Sequence, residues 1–165
     1  MDAQTVYVQG NFWDAGLTDI WDGAEKRIGR LDLQDIFTAG VAVLDLSGNE
    51  LASGKFRFFS NTWHVTGRDG TEVGQLRARF AFFAEKFEFE HERHGTFSVV
   101  SEPFSREYAI ENEQGETVAS FTRTNGFFAP AAYVLHNRSE LPTAEWIVVV
   151  MGVHAIEKRR RNSGT

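Results

Sequence analysis

The sequence predicts a mainly β fold in which antiparallel strands follow one another as hairpins and close into a barrel or a sandwich. A glycine-centred unit recurs along the chain, and apolar and charged residues alternate on both sides of each glycine. The 165 residues include 15 Phe but only 3 Pro, which favours an aromatic-rich sheet. A chain of this length is expected to form one domain with a substantial core.

The first 40 residues are the least regular part of the chain. The stretches TVYVQGNFWD and KRIGRLDLQDIF are predicted to form two strands joined by weaker turns. The start of the chain has neither a basic region nor an apolar core, so no signal peptide is expected. The absence of Cys excludes disulfides and thiolate chemistry. We expect a single domain over residues 1–158 of a cytoplasmic protein, at most peripheral to a membrane.

The glycine-centred unit occurs three times, and each copy is predicted to form a β-hairpin. Polar residues beside Gly48, Gly70 and Gly115 favour a turn with a positive φ. The sequence HERHG predicts another such turn at Gly95. Each copy ends in a Phe pair. The copies are LDLSGNELASGKFRFF (44–59), VTGRDGTEVGQLRARFAFF (65–83) and IENEQGETVASFTRTNGFF (110–128), with Phe pairs at 58–59, 82–83 and 127–128.

The charged residues of the repeats are predicted to face outward. In KFRFF, Lys55 and Arg57 should point one way while Phe56 and Phe58 point the other. On neighbouring strands, such cations would form a basic patch suited to phosphate or anionic lipid. The alternative is solvated positions paired with nearby glutamates or protecting a sheet edge. The cations are Lys55, Arg57, Arg77, Arg79 and Arg123, and the candidate glutamates are Glu88, Glu90 and Glu92.

Residues 146–156, WIVVVMGVHAI, are apolar apart from His154. A membrane span needs about 20 apolar residues, and a helix lying on a membrane needs a polar face, so this segment fits neither. The Val run at 148–150 favours a strand. Thr143 as an N-cap, Glu145 in a first turn and the cations that follow favour a helix. In either conformation the segment is expected to lie inside the protein.

The chain ends in a basic tail. Glu157 is followed by four cations, Lys158, Arg159, Arg160 and Arg161, and no acidic residue comes after them. Residues 159–165 are predicted to be disordered. Each cation near an anionic membrane contributes about 1 kcal/mol, so four give only weak attraction. The alternative is a solubilising tail whose charge complements the end of a helix.

No motif in the sequence predicts catalysis. GxSxG, P-loop, HExxH and dinucleotide fingerprints are absent, so we expect neither an enzyme nor a bound cofactor. His91 and His94 share one turn, but two histidines without a third ligand are weak evidence for a metal. The net charge of −6 argues against nucleic acid as a partner.

Taken together, these features resemble the LURP-one-related (LOR) family of the tubby-like superfamily. The resemblance runs from about Val41 to Lys158 and is carried best by REYAIENEQGETVASFTRTNGFFAPAAYVL (106–135) and AEWIVVVMGVHAIEK (144–158). It implies an antiparallel β-barrel of about 12 strands that encloses a hydrophobic C-terminal helix. Such a helix leaves no room in the barrel for a small ligand.

The resemblance also implies a type of function. Related tubby domains bind phosphoinositide headgroups through basic residues outside the barrel, and phospholipid scramblases share the fold and act on membranes. By this resemblance we expect a non-enzymatic protein that binds phosphoinositide or another anionic phospholipid through outer basic residues, without a transmembrane span. The alternative is a protein–protein interaction or scaffold module with no lipid role.

Overall fold

The computed structural model describes residues 1–10, 13, 16–35, 40–79, 85–101, 105–124 and 132–163. Within these residues, twelve strands run as consecutive antiparallel neighbours, and pairing of the first with the last closes the sheet into a barrel. The strands are β1 (Thr5–Gln9), β2 (Leu17–Trp21), β3 (Arg27–Asp35), β4 (Gly40–Leu44), β5 (Glu50–Phe56), β6 (Trp63–Thr66), β7 (Glu72–Arg79), β8 (Glu85–His91), β9 (Gly95–Ser101), β10 (Tyr108–Glu111), β11 (Thr117–Thr124) and β12 (Ala132–Asn137).

The predicted mainly β barrel around one helix is confirmed, with one error near the start. Three strands, not two, precede residue 40, because β2 was not predicted. Its inward positions are Thr18 and Ile20, while Leu17 is exposed. A strand that buries a polar residue and exposes an apolar one has little of the alternation by which strands are recognised.

One end of the barrel, which we call the hairpin end, carries five tight turns. The predicted turns at Gly48, Gly70, Gly95 and Gly115 are confirmed, with φ between 79° and 85°. In the turn after β4, Asp45 Oδ1 accepts the backbone N–H groups of Ser47 and Asn49 at 2.9 Å. The turn between β2 and β3 instead has Glu25 at φ 60°. Short polar side chains and glycine therefore determine this end of the barrel.

The opposite end, which we call the loop end, carries the connections that follow the odd-numbered strands. Of the predicted Phe pairs, 82–83 and 127–128 fall in parts of these connections outside the described residues. The pair Phe58–Phe59 is described, and the prediction that Phe58 points inward is wrong, because its side chain is 89% exposed. Strand β5 ends at Phe56, which is buried, and the backbone turns away immediately afterwards.

Helix α1 (Thr143–Ser163) fills the interior of the barrel. Every residue from 144 to 156 is buried. Trp63 of the barrel wall donates its indole N–H to the Val148 carbonyl at 3.2 Å. Gly152 permits this approach, since a Cβ there would lie 2.4 Å from the Trp63 ring. An interior gap between β-strands and helix has a volume of only about 10 Å³, no more than one water molecule needs.

The two ends of α1 differ from the prediction in detail. Thr143 does not use its hydroxyl as the predicted N-cap but donates it to the Ala3 carbonyl at 2.7 Å and accepts the Asn137 side-chain amide at 3.1 Å. The prediction of a disordered tail is wrong for residues 159–163, which continue the helix, while 164–165 lie outside the described residues. Arg160 and Arg161 complement the helix dipole from within its last turn.

Among the described residues, no helix is both long and apolar enough to cross a membrane.

Candidate functional site

The barrel wall has an opening at the loop end, between β6 and β7. Pairing of these strands stops at Trp63 opposite Leu76, whereas β7 continues to pair with β8 as far as Arg79 opposite Lys86. The last three residues of β7 therefore have no β6 partner. Residues 57–62, which connect β5 to β6, border the gap instead.

This opening forms a cleft of about 280 Å³, which we call the arginine cleft. Four of the predicted site residues meet there, two from β7 and two from the end of α1. Its volume lies near the lower limit of about 300 Å³ for ligand pockets, which suits a small group better than a large apolar molecule. The lining residues are Phe56, Asn61, Thr62, Arg77, Ala78, Arg79, Ile156, Arg159 and Arg160.

The two arginines of β7 are paired with glutamates of β8. Arg79 donates two hydrogen bonds to Glu88, at 2.6 and 3.0 Å, which raises the pKa of Arg79 and lowers the pKa of the Glu88 carboxyl. Arg77 lies 3.7 Å from Glu90, and its buried Nε has no hydrogen-bond partner among the described residues. The alternative to a basic patch, pairing of these cations with nearby glutamates, is therefore seen for Arg77 and Arg79 with Glu90 and Glu88. Both pairs are substantially exposed, so each contributes little to stability.

Arg159 joins the end of the helix to the connection between β5 and β6. Its guanidinium lies over the Phe56 ring, 3.7 Å from the ring centre, and donates to the Ser60 carbonyl at 2.7 Å. A longer bond of 3.4 Å reaches the Asn61 side chain. These contacts fix residues 57–62 against α1 and form one side of the cleft.

The cleft is lined by cations on an acidic protein. Four guanidinium groups line it, and the carboxylates of Glu88 and Glu90 pair with two of them. Lys158 is half-buried and Arg161 exposed on the same last turns of the helix. This concentration of cations in one place contrasts with the net charge of −6 for the whole chain.

The five cations of the repeats do not form one patch. Lys55 is exposed on β5, and Arg57 lies 3.0 Å from Glu72 on the outer wall. Arg123 lies on β11, with β10, β9 and β8 between it and β7. The structure thus brings Arg77 and Arg79 together with the helix end and leaves the other three repeat cations outside the cleft.

A different cluster joins Glu145 and His91 at the hairpin end. From the sequence, Glu145 was expected only as a partner of the helix dipole and His91 only as weak evidence for a metal. Glu145 is buried, and burial, followed by the negative charge of Asp69, raises the pKa of Glu145 to about 7. His91 Nε2 lies 3.5 Å from the Glu145 carboxylate. Its other nitrogen accepts the backbone N–H of Arg93 at 3.1 Å. Among the described residues, no group of three or more potential ligands could hold a metal ion.

His154 is the polar residue inside the apolar segment, and it is also buried. Its ring lies 4.1 Å from the ring of Trp13, and burial lowers the pKa of His154 to about 3. The side chain is therefore neutral at physiological pH and belongs to the core.

Comparison with known proteins shows the fold and no more. No family model matches the chain, and no curated protein matches it. An X-ray structure of a protein from Arabidopsis thaliana is similar, with a TM-score of 0.59 and 13% sequence identity over 98% of this chain and 94% of that one. At this identity the similarity shows a shared fold, and the resemblance to the LOR family stays a prediction.

Proposed function

We propose that this protein is a non-enzymatic binding module that recognises phosphate groups of anionic phospholipid headgroups, phosphoinositides in particular, at the arginine cleft. The observation that carries the proposal is the meeting of four guanidinium groups from two distant chain segments in one opening. Planar guanidinium forks match the geometry of phosphate oxygens and bind them through paired hydrogen bonds.

The state of the individual arginines supports this proposal. Arg77 Nε is a buried donor without a partner among the described residues, so an anion would give it one. The ion pairs to Glu88 and Glu90 are partly exposed, and such pairs exchange partners at little cost.

The surroundings of the cleft suit an amphiphilic ligand. Phe56 and Ile156 are buried in its floor, and Ala78 is half-buried beside them. Lys158 and Arg161, on the same last turns of the helix, add long-range attraction to an anionic surface. An apolar floor with a cationic rim fits the region where a phospholipid headgroup meets its glycerol backbone.

Vesicle co-sedimentation tests the proposal. We expect wild-type protein to bind phosphatidylcholine vesicles that contain phosphatidylinositol bisphosphate and to ignore pure phosphatidylcholine vesicles. Added salt should weaken binding because it screens the exposed arginines, and soluble inositol trisphosphate should compete. A wild-type protein that ignores phosphoinositide vesicles even at low salt would contradict the proposal.

A matched pair of charge reversals locates the site. Arg77→Glu with Arg79→Glu should abolish vesicle binding and leave the thermal unfolding transition intact. Arg68→Glu with Arg93→Glu changes the net charge equally at exposed positions of the hairpin end and should retain binding. Equal losses in both variants would mean that general charge, and not the cleft, attracts the vesicle. If neither variant lost vesicle binding, Arg77 and Arg79 would have no part in it.

A further inference from the structure

Two aromatic side chains project into solvent beside the arginine cleft. Phe58 is 89% exposed and Phe59 is 96% exposed, with their ring centres 4.1 Å apart. We call this pair the aromatic tip. The other large hydrophobic side chains exposed among the described residues, Leu17 and Leu46, are each little more than half exposed. Exposing two adjacent aromatic rings to water is unfavourable in free energy, and exposed apolar surface of this kind marks interaction sites.

The backbone of the aromatic tip is strained in the conformation that exposes it. Ser60 donates its N–H to the Arg57 carbonyl at 3.0 Å, which closes a turn around the two phenylalanines. Phe59 has φ 59° at the third position of this turn, where Gly or Asn is normally required. A bulky aromatic residue in this region is a true outlier, and such outliers concentrate at functional sites.

Arg159 of the cleft holds the chain on both sides of the aromatic tip. Arg159 lines the cleft and donates to the carbonyl of Ser60, which directly follows the tip. The same guanidinium lies over the ring of Phe56, two residues before the tip. The aromatic tip and the cationic cleft are therefore parts of one anchored unit at the loop end.

The neighbourhood of the tip identifies its partner. The turn that carries the rings is held by Arg159 through the Ser60 carbonyl. It lies at the same end of the barrel as the other cations of the helix end, Lys158, Arg160 and Arg161. A protein surface that combines projecting aromatic rings with cations complements the interface of an anionic membrane, where rings enter the headgroup–acyl boundary and cations contact phosphate. Leu17, at the start of β2, adds apolar surface at the same end.

We infer that the aromatic tip inserts into the interface of an anionic lipid membrane and thereby orients the loop end toward the bilayer. This inference rests on the proposed function for the cleft, because the headgroup site would lie at the surface that the tip enters. The cleft supplies selection for a phosphorylated headgroup, and the tip supplies attachment that salt does not screen.

Site-specific fluorescence tests the insertion directly. The chain has no Cys, so Phe58→Cys provides a single site for an environment-sensitive nitrobenzoxadiazole label. Leu46→Cys is the matched control, an exposed apolar residue in a turn at the hairpin end. With vesicles containing phosphatidylinositol bisphosphate, the label at 58 should shift to shorter wavelength and brighten, while the label at 46 should not.

Affinity measurements separate the tip from the cleft. Phe58→Ser with Phe59→Asn removes both rings and places a residue that tolerates positive φ in the turn. Vesicle affinity should fall about tenfold or more, because moving even one Phe side chain from water into the membrane interface is enough to change the dissociation constant by about that factor. Binding of soluble inositol trisphosphate should not change. Leu46→Ser should alter neither measurement.

Each contrary result has a defined meaning. No spectral shift at 58 with these vesicles overturns the insertion, whereas the proposed headgroup site is decided separately by inositol trisphosphate binding. Equal shifts at 58 and 46 also overturn it, because the protein would then adsorb to the vesicle without turning its loop end toward the bilayer. A shift at 58 that appears on raising protein concentration without vesicles would assign the tip to contact between two copies of the chain, and the membrane proposal would be wrong.

Discussion

The two ends of the barrel are built from the same strands but differ in chemistry. At the hairpin end, five short turns are held by glycines and by carboxylates such as Asp45, and Glu145 is buried beneath them. At the loop end, the wall opens beside β6, arginines line the opening, and two phenylalanines project into solvent. The turns of the hairpin end satisfy their own backbone polar groups locally, whereas the loop end exposes aromatic rings and lines a cleft with arginines.

This contrast separates stability from binding within one small domain. Turns that close on their own hydrogen bonds contribute to folding and present little for a ligand. An incompletely paired strand, a helix end and a strained turn contribute less to folding and present donors that a ligand can use. We therefore expect substitutions at the hairpin end to change stability and substitutions at the loop end to change binding.

The largest expected effect comes from removing the element that joins both ends. Truncation after Pro142 deletes α1, whose residues 144–156 are all buried and fill the barrel. The remaining strands would enclose an empty apolar interior, so we expect no cooperative thermal unfolding by circular dichroism. A soluble truncate that melts cooperatively would show that the strands hold the barrel without the helix.

The next effect concerns the buried carboxyl at the hairpin end. The pKa of Glu145 is about 7 in the folded protein against an ordinary 4.5, so the folded state binds the extra proton and stability falls as pH rises through this window. Glu145→Gln should remove this loss and raise the free energy of unfolding above pH 7 by up to about 3 kcal/mol. Glu140→Gln, at an exposed glutamate nearby, is the control.

His154, toward the loop end, produces the opposite pH dependence. Its folded pKa of about 3 lies below the ordinary 6.5, so the unfolded state binds more protons and stability falls as pH drops below about 6.5. In urea unfolding across pH, the Glu145→Gln variant should keep the acid-side loss, to which the buried His91 also contributes, and should no longer lose stability as pH rises from 5 to 7. A variant that still loses stability between pH 5 and 7 as pH rises would contradict the assignment to Glu145.

Smaller and opposite effects are expected from two turns of the hairpin end. Gly115 has φ 79° and open space where a Cβ would lie, so Gly115→Ala should cost about 1 kcal/mol through backbone strain alone. Glu25 has φ 60°, and Glu25→Gly should gain about as much. Urea midpoints that move in the same direction for both variants would contradict this account of the turns.

The smallest effect on stability should come from the loop end. Arg79→Gln breaks the pair with Glu88, but the arginine is 53% exposed, so the free energy of unfolding should change very little. The same variant should weaken binding to phosphoinositide vesicles. A large loss of stability would mean that the arginine cleft is a structural feature and would remove the contrast between the ends.

The hairpin end was largely predictable from sequence because its structure is local. A polar residue beside Gly48 or Gly115 specifies its turn within five residues, and the structure confirms the positive φ at both. The buried position of residues 146–156 was also predictable, because a segment too short for a membrane and without a polar face can only be covered by protein.

The loop end was predicted poorly because its structure depends on distant contacts. Whether Arg77 meets Arg159 depends on closure of the barrel and on the early end of β6, neither of which is encoded near either residue. Phe58 was assigned inward by extending the alternation of β5 beyond Phe56, where the strand ends. Glu145 appeared as an ordinary first-turn acid, because its burial follows only from the position of the helix inside the barrel.

The pairing of β1 with β12 also affects how the chain folds while it is being synthesised. Thr5 lies opposite His136, and residues 143–156, which fill the interior, are translated after all twelve strands. A nascent chain on the ribosome can form local hairpins but has neither its closing strand nor its core until the last segment emerges. During that interval the inward faces of the strands are exposed, and such surfaces favour aggregation. The helix therefore determines when folding can finish, and a chain interrupted shortly before it should depend on chaperones to stay in solution.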